Sequence, residues 1–476
     1  MMNQPFVFIK TGLVLGFLIF YSCKSGELRG GNVHGEGGNS INTESARILE
    51  NNFQVSDKIY EATLAKEKLG VGDLYILALK HSEKMAIGAE NVLQARQKTR
   101  QAWAAVLPSV SFRMSLYAPD TTGLTGGVFS RGFRFYARQN LLTGLDEVSG
   151  LRGGRLREDF DTFQLRAEAA LLYDQIAQVF FEYLVLEDNL NTQKILIENS
   201  EDLKRELERR FNLGKVRRSE LLSVEVVIAK TEAVIINLHN QLANARRKIR
   251  DLTGLSSQNK AFVPEKPIDE DFKNDFKLDE KFTSNTNVVQ DSLPPELLLK
   301  IENRPDIASL KASWELAKLE SFRASGGHLP KIYLEGSYRL PDAGSTGNDY
   351  YGALVAEIPL FSGGLVHSQY LERKSRERQA RLAWDEAVRL AKDELSYYIH
   401  AWRTGEKALE MLRLAMEKTQ YNYKTILSDY RIGQATNLEA LSALNESAAA
   451  KEEFEKTRLN QMLTILHIKI LTGELP

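Results

Sequence analysis

Few residues of this chain are spaced for covalent or metal chemistry. The seven histidines (His34, His81, His239, His328, His367, His400 and His467) are scattered, with no i, i+4 pair to set two imidazoles on one helix face. Gly126-Gly127 and Gly363-Gly364 lack the lysine and spacing of a phosphate-binding loop and serve better as turns. Trp384 and Trp402 fall at heptad positions, which makes them core packing before a ligand box. The single cysteine, Cys23, excludes an internal disulfide framework and any multi-cysteine metal site. With 62 Lys+Arg against 63 Asp+Glu, there is no electrostatic case for nucleic acid as a partner. No catalytic group, metal site or cofactor is expected. What remains is the chemistry of Cys23 itself.

Cys23 stands where a thiol can become an anchor. Lys10 precedes the apolar stretch from Thr11 to Ser22, and small Ser22 comes directly before the cysteine. A basic residue, a short apolar core and a small residue at the cleavage point fit a secretory signal over residues 1–22. A transmembrane helix needs about 20 apolar residues, and this run is too short. Phe20-Tyr21-Ser22-Cys23 resembles a bacterial lipoprotein processing site, where the cysteine is acylated, as with palmitate, and becomes the new N-terminus. Phe20 and Tyr21 are larger than the residues usual there, and a buried cysteine in an ordinary cleaved signal is the alternative. Residues 23–70 then read as a tether, Gly-rich and polar at its start.

The elements around these residues are organised by repetition. Phe211-Asn-Leu-Gly214 matches Tyr430-Arg-Ile-Gly433 at an offset of 219; so do Leu252-Thr-Gly254 with Leu471-Thr-Gly473, and Leu141-Leu-Thr-Gly144 with Leu360-Phe-Ser-Gly363. Pro108 matches Pro330 at 222, a difference that a short loop indel absorbs. The chain reads as a tandem duplication, with repeat one over 71–254, a connector over 255–294 and repeat two over 295–473.

Each half has one grammar. A helical stretch (Asp73 to Leu107; Pro295 to about His328) leads into a strand with period-two alternation, over Ser109–Tyr117 and Lys331–Leu340. A loop and a second alternating strand follow. A Gly turn then opens a very long helix, roughly Arg155 to Leu213 and Leu365 to Ile432, and after a Gly break a last helix ends at Leu-Thr-Gly. In the second long helix Trp384, Val388, Ala391, Leu395, Tyr398, Trp402, Leu409, Leu412 and Met416 keep four-three spacing, with Gly405 the only gap, which predicts a left-handed supercoil. The first long helix carries two apolar rows, one through Phe160, Phe181 and Leu184 and one through Leu165, Ile176 and Tyr183. They lie about 140° apart, so this helix needs neighbours on both flanks. Sixty-eight residues at 1.5 Å each span roughly 100 Å, and two half-length helices end to end would sheathe that length.

Four strands cannot close a membrane barrel, which starts at eight. Nine or ten residues do cross a bilayer when tilted, and the alternation is the lipid-out, lumen-in signal. A small soluble sheet capping a coiled coil is the competing reading. The export signal and the tall helical body favour a barrel shared between chains.

Asn303-Arg304-Pro305-Asp306-Ile307, Leu329-Pro330 before a strand, Ile358-Pro359-Leu360-Phe361-Ser362-Gly363-Gly364, Tyr430-Arg-Ile-Gly433 and the two Leu-Thr-Gly endings occur in one order. Jointly they resemble the TolC-like outer-membrane efflux protein family, lipoprotein type, from about Val71 onward. Half one departs from the pattern, with no proline in Gln139-Asn140-Leu141-Leu142. The resemblance implies a mainly α fold with a small β part: a homotrimeric α-helical barrel joined to a shared 12-stranded transmembrane β-barrel, four strands per chain. It implies the passive outer-membrane exit duct of a tripartite efflux or secretion system, with a periplasmic adaptor and an inner-membrane pump as partners and outer-membrane lipid around the barrel. A periplasmic adaptor, or a structural coiled-coil lipoprotein without a pore, is the rival class; an adaptor would show one helical hairpin flanked by small β domains.

Two sites follow from that resemblance. The Gly214 and Gly433 breaks become periplasmic tips, with Arg210, Leu213, Arg217, Tyr430 and Arg431 exposed there as adaptor contacts. Glu439, six residues after Gly433, aligns with a position where relatives often carry an acidic ring at the pore's narrowest point, whereas Ser442 at a second ring position has no charge. Three carboxylates across a three-fold axis would raise one another's pKa and favour cations. Glu439 as an ordinary first-turn residue of a helix is the alternative.

Overall fold

The computed structural model describes residues 43–117, 130–255, 263–266, 300–340 and 349–474. The signal segment, Cys23 and most of the connector lie outside the described residues. Two short helices, α1 (Thr43–Phe53) and α2 (Asp57–Ala65), precede α3 (Val71–His81) and α4 (Glu83–Ala104). Strands β1 (Ser109–Tyr117) and β2 (Ser130–Thr143) lead into α5 (Asp146–Asn212) and α6 (Arg218–Thr253). The same order then recurs as α7 (Pro305–Ser325), β3 (Lys331–Arg339), β4 (Asp349–Glu357), α8 (Leu365–Ile432) and α9 (Asn437–Leu471).

The first helical stretch is interrupted. Ser82 is extended (φ −66°, ψ 119°) and separates α3 from α4 where a single helix is expected from the sequence. The long helix α5 also begins nine residues before the expected start. Gly150, Gly153 and Gly154, which read as a turn, are helical, and a Cβ on Gly154 would press into the Thr99 backbone of α4. Gly154 allows this close packing, and none of the three reverses the chain. The true turn is Gly144-Leu145, both left-handed.

The helices form one layered wall. The long α5 packs along α4 and α6 on one flank and along α7 and α9 on the other; α8 packs on α7 and α9. Each flank therefore holds two half-length helices in line. Both apolar rows of α5 are inside, with Leu165, Ile176, Phe181, Tyr183 and Leu184 all buried. On α8 the heptad row is buried at Ala391 and Leu395, and Gly405 is the gap that admits Gln461 of α9, whose Nε2 donates to the Trp402 carbonyl. A second apolar row on α8, Leu390, Tyr397, Met411, Leu414 and Tyr421, is exposed. Leu390 and Leu395 are five residues apart, again about 140° around the helix. α8 is thus built like α5 but, among the described residues, only one of its two flanks is covered.

The sheet is antiparallel in the order β1-β2-β3-β4, with a bulge at Leu141 against β3. One face carries Val110, Phe112, Met114, Phe135, Leu334, Tyr338, Tyr350 and Leu354, all exposed. The outer edges of β1 and β4 have no strand beside them among the described residues. Where the sheet meets the helices, the turn after β2 crosses the turn before β3. A Cβ on Gly326 would overlap the Gly144 carbonyl, and Arg323 Nε donates to Asp146 Oδ1 at 2.6 Å. Of the connector, Glu265 donates to the Leu69 carbonyl at 3.0 Å, and Lys266 pairs with Asp188 on α5.

Candidate functional site

The helix reversals at the two ends of the long helices come together. α5 ends in Leu213 and Gly214 (φ 72°), and α8 ends at Gly433 (φ 83°), the left-handed conformation that glycine adopts without a Cβ clash. Nothing lies within 4 Å of a Cβ built on either glycine. Leu213 and Ile432 are 69% and 68% exposed, and Gly214, Arg217, Arg431 and Gly433 are exposed with them.

Tyr430 is not among them. It is 3% exposed and packs with Leu203, Leu207, Val224, Ala440 and Leu441. Burial pushes its phenol pKa up, and the nearby Arg210 pulls the other way. Arg210 is half-buried. Its guanidinium lies 4.7 Å from the Tyr430 ring centre, donates to the Tyr430 and Arg431 carbonyls at 3.4 and 3.1 Å, and pairs with Glu206 at 2.5 Å. Both residues were expected at the exposed tip. They are instead the clamp that joins the two reversals, because Arg210 donates to two carbonyls in the last turn of α8, of which Tyr430's also accepts the Gly433 N–H. Asn437, which no sequence motif marks, adds a second tie: its Nδ2 donates to the Glu220 carbonyl and to Ser223 Oγ, each at 3.1 Å. Its one cue is its place directly after the N-cap Thr436, and its partner is 217 residues away.

Glu439 closes a capping box. Thr436 N–H donates to Glu439 Oε2 at 2.7 Å, Thr436 Oγ1 donates to the same oxygen at 2.9 Å, and Glu439 N–H returns to Thr436 Oγ1 at 3.3 Å. The Thr436 backbone N–H, helped by its hydroxyl, holds the Glu439 carboxyl below the ordinary glutamate range. Among the described residues these hydrogen bonds involve Oε2 alone.

Midway along the wall, α5, α7, α8 and α9 enclose a cleft of about 220 Å³ lined by Asp174, Arg304, Glu394, Tyr398 and His467. His467 Nε2 lies 2.7 Å from Asp174 Oδ1; Arg304 bonds Asp306 at 2.9 Å and Glu394 at 3.4 Å. Pro305 begins α7 and Ile307 is buried against Leu395 of α8. The Asn-Arg-Pro-Asp-Ile run therefore seats α7 on α8. It is a joint between the two helices.

The sequence and the fold both have relatives. Residues 298–474 match the family profile described as outer membrane efflux protein. Outer membrane protein TolC of Escherichia coli (strain K12) is 23% identical over 286 residues, 56% of this chain and 54% of that protein. The Vibrio cholerae TolC is 22% identical over 322 residues, 63% of this chain and 67% of its own length. The match spans about half the length of the first of these relatives. Among solved structures, CusC superposes with a TM-score of 0.73 at 17% identity, over 84% of this chain and 91% of that one. The outer membrane protein VceC of Vibrio cholerae gives 0.72 at 14%, over 85% and 96%. The MtrE outer membrane channel of Neisseria gonorrhoeae in its open state gives 0.70 at 18%, over 85% and 89%.

Proposed function

We propose that this chain forms the outer-membrane exit duct of a tripartite efflux or secretion system, a reading supported by the match of residues 298–474 to the outer membrane efflux protein profile. The observation that carries this reading is the sheet. It has one apolar exposed face, one charged face and two open edges. Unpaired strand edges cannot lie in hydrocarbon, so strands from other copies must close it. Two copies would reach the smallest barrel of eight strands. The number three, and hence 12 strands, rests on the family resemblance. The uncovered flank of α8 supports the same closure, since a neighbouring chain's α4 and α6 would fill it as α7 and α9 fill the other.

In this reading the helices continue the barrel through the periplasm and the tips around Gly214 and Gly433 meet an adaptor that couples the duct to an inner-membrane pump. The duct is passive and performs no chemistry; the pump supplies the work. Cys23, acylated, would fix the N-terminus to the membrane, and Glu439 would stand at the tip end of the pore. The rival, a pore-less adaptor or structural lipoprotein, leaves the exposed apolar sheet face and the strand edges without a role. Purified full-length protein added to a planar bilayer tests the reading, with stepwise conductance expected. Protein that assembles but never conducts would remove it. In cells, loss of fatty-acid labelling in Cys23→Ala is expected, and unchanged labelling would remove the anchor alone.

A further inference from the structure

The polar face of the sheet carries charges set against one another. In an antiparallel pair, directly opposed residues share a face, with Cβ atoms about 5 Å apart. Arg113 of β1 stands opposite Arg134 of β2, Arg134 opposite Arg339 of β3, and Arg339 opposite Asp349 of β4. Three arginines thus occupy one level of three neighbouring strands. Like charges directly opposed destabilise a sheet. Arg339 reaches Asp349 at 3.7 Å, while Arg113 and Arg134 have no ion pair among the described residues. The next levels of the same face are satisfied. Glu335 accepts hydrogen bonds from Tyr136 at 2.9 Å and Tyr351 at 3.0 Å, and Arg138 stacks over Tyr333 at 3.8 Å. Over the whole described face, Arg113, Arg134, Arg138, Lys331 and Arg339 face Glu335, Asp349 and Glu357.

We propose that Arg113, Arg134 and Arg339 form an anion-binding girdle on the inner wall of the barrel, which takes small multivalent anions bearing phosphate or carboxylate groups. This rests on the duct reading, which puts the polar face in the lumen. Guanidinium forks on adjacent strands can hold one anion's oxygens from several sides, and the bound anion relieves the repulsion that the row otherwise stores. In a closed ring every chain contributes three guanidiniums and one carboxylate at this level, so the wall attracts anions whatever the sign of the tip end. Cargo leaving through the barrel would then be favoured when anionic.

Single-channel recording in a zwitterionic bilayer tests this, with tripolyphosphate added to each side in turn. Block from the barrel end is expected. Arg134→Gln should weaken it about tenfold, the loss of one charge-assisted contact, and the triple Arg113→Gln, Arg134→Gln, Arg339→Gln variant should lose it while conducting. Arg134→Lys, which keeps charge but not the fork, should fall between. The triple variant relieves like-charge contacts, so its assembly should resist heat at least as well as the parent. A wild-type duct that conducts without polyphosphate block, or a triple variant blocked like the parent, overturns the girdle and leaves the duct reading intact. Absence of any conductance strikes the duct reading itself.

Discussion

At the scale of single residues, Glu439 has a duty within its own helix that any role in a pore must share. Its Oε2 accepts from the Thr436 N–H and hydroxyl, and these bonds hold the carboxyl below the ordinary glutamate range. The sign is clear: a depressed pKa stabilises the folded helix end above the unfolded value, and that contribution fades as pH falls through the lower folded value. Three such carboxylates facing one another would push the other way, raising the pKa. The two roles therefore separate by substitution. Glutamine serves at this position of a capping box but carries no charge. Glu439→Gln should leave assembly intact and reduce both cation preference and block by divalent cations applied at the tip end. Thr436→Ala should loosen the start of α9 by about 1 kcal/mol and leave selectivity alone. If Glu439→Gln conducts with the parent's cation preference and block, the carboxylate is a helix cap only. The capping box itself was legible, since Thr436 and Glu439 stand three apart before an apolar run.

At the scale of elements, the tips separate into a surface and a support. Leu213 and Ile432 project freely, whereas Tyr430 and Arg210 hold the two reversals together from beneath. Leu213→Glu combined with Ile432→Glu should leave stability nearly unchanged, within about 0.5 kcal/mol for exposed sites. The same pair should cut crosslinking to the adaptor about tenfold, the effect of losing roughly 1.4 kcal/mol of contact. Tyr430→Ala should instead cost about 3 kcal/mol through the buried cavity, seen as a lower dissociation temperature. Full adaptor crosslinking in the Leu213/Ile432 pair would move the docking surface elsewhere. That division could not be read in advance. The match of Phe211-Asn-Leu-Gly to Tyr430-Arg-Ile-Gly marked both reversals, but Tyr430 is buried by Leu203 and Leu207 of α5 and Val224 of α6, all distant in sequence. Strands were the most legible elements. β1 runs Ser109–Tyr117 as its alternation indicates, and β3 ends one residue before the expected limit. The starts of helices were less so. Gly150, Gly153 and Gly154 look like a turn in isolation, and the close approach of Thr99 accounts for the glycine at 154 inside the helix.

At the scale of the whole molecule, the duplication makes one half a template for contacts the other half lacks. Within the chain, the turn after β2 crosses the end of α7, and Asp146 bonds Arg323 there. The offsets of 219 and 222 carry Asp146 to Leu365 and Arg323 to Gln101. Leu365 and Gln101 are both exposed, and nothing lies within 4 Å of a Cβ built on Gly363 or Gly364 in the same turn. Among the described residues the second crossing is not formed, because its two parts sit at opposite ends of the sheet, beside the outer edges of β4 and β1. A ring in which β4 of one copy pairs with β1 of the next restores it, and the uncovered row of Leu390, Tyr397 and Met411 on α8 meets the next copy's α4 and α6 in the same step. The sequence showed the four-three row on α8 but not this second row, which becomes evident only when its exposure is known. A Gln101→Cys, Leu365→Cys variant on the Cys23→Ala background should therefore join neighbouring chains through a short bis-maleimide. It should give dimer and trimer bands on a denaturing gel, while either single variant gives monomer. Bands that stop at the dimer would set the ring at two copies. No bands from protein that still forms conducting assemblies would show that the chains meet along some other edge.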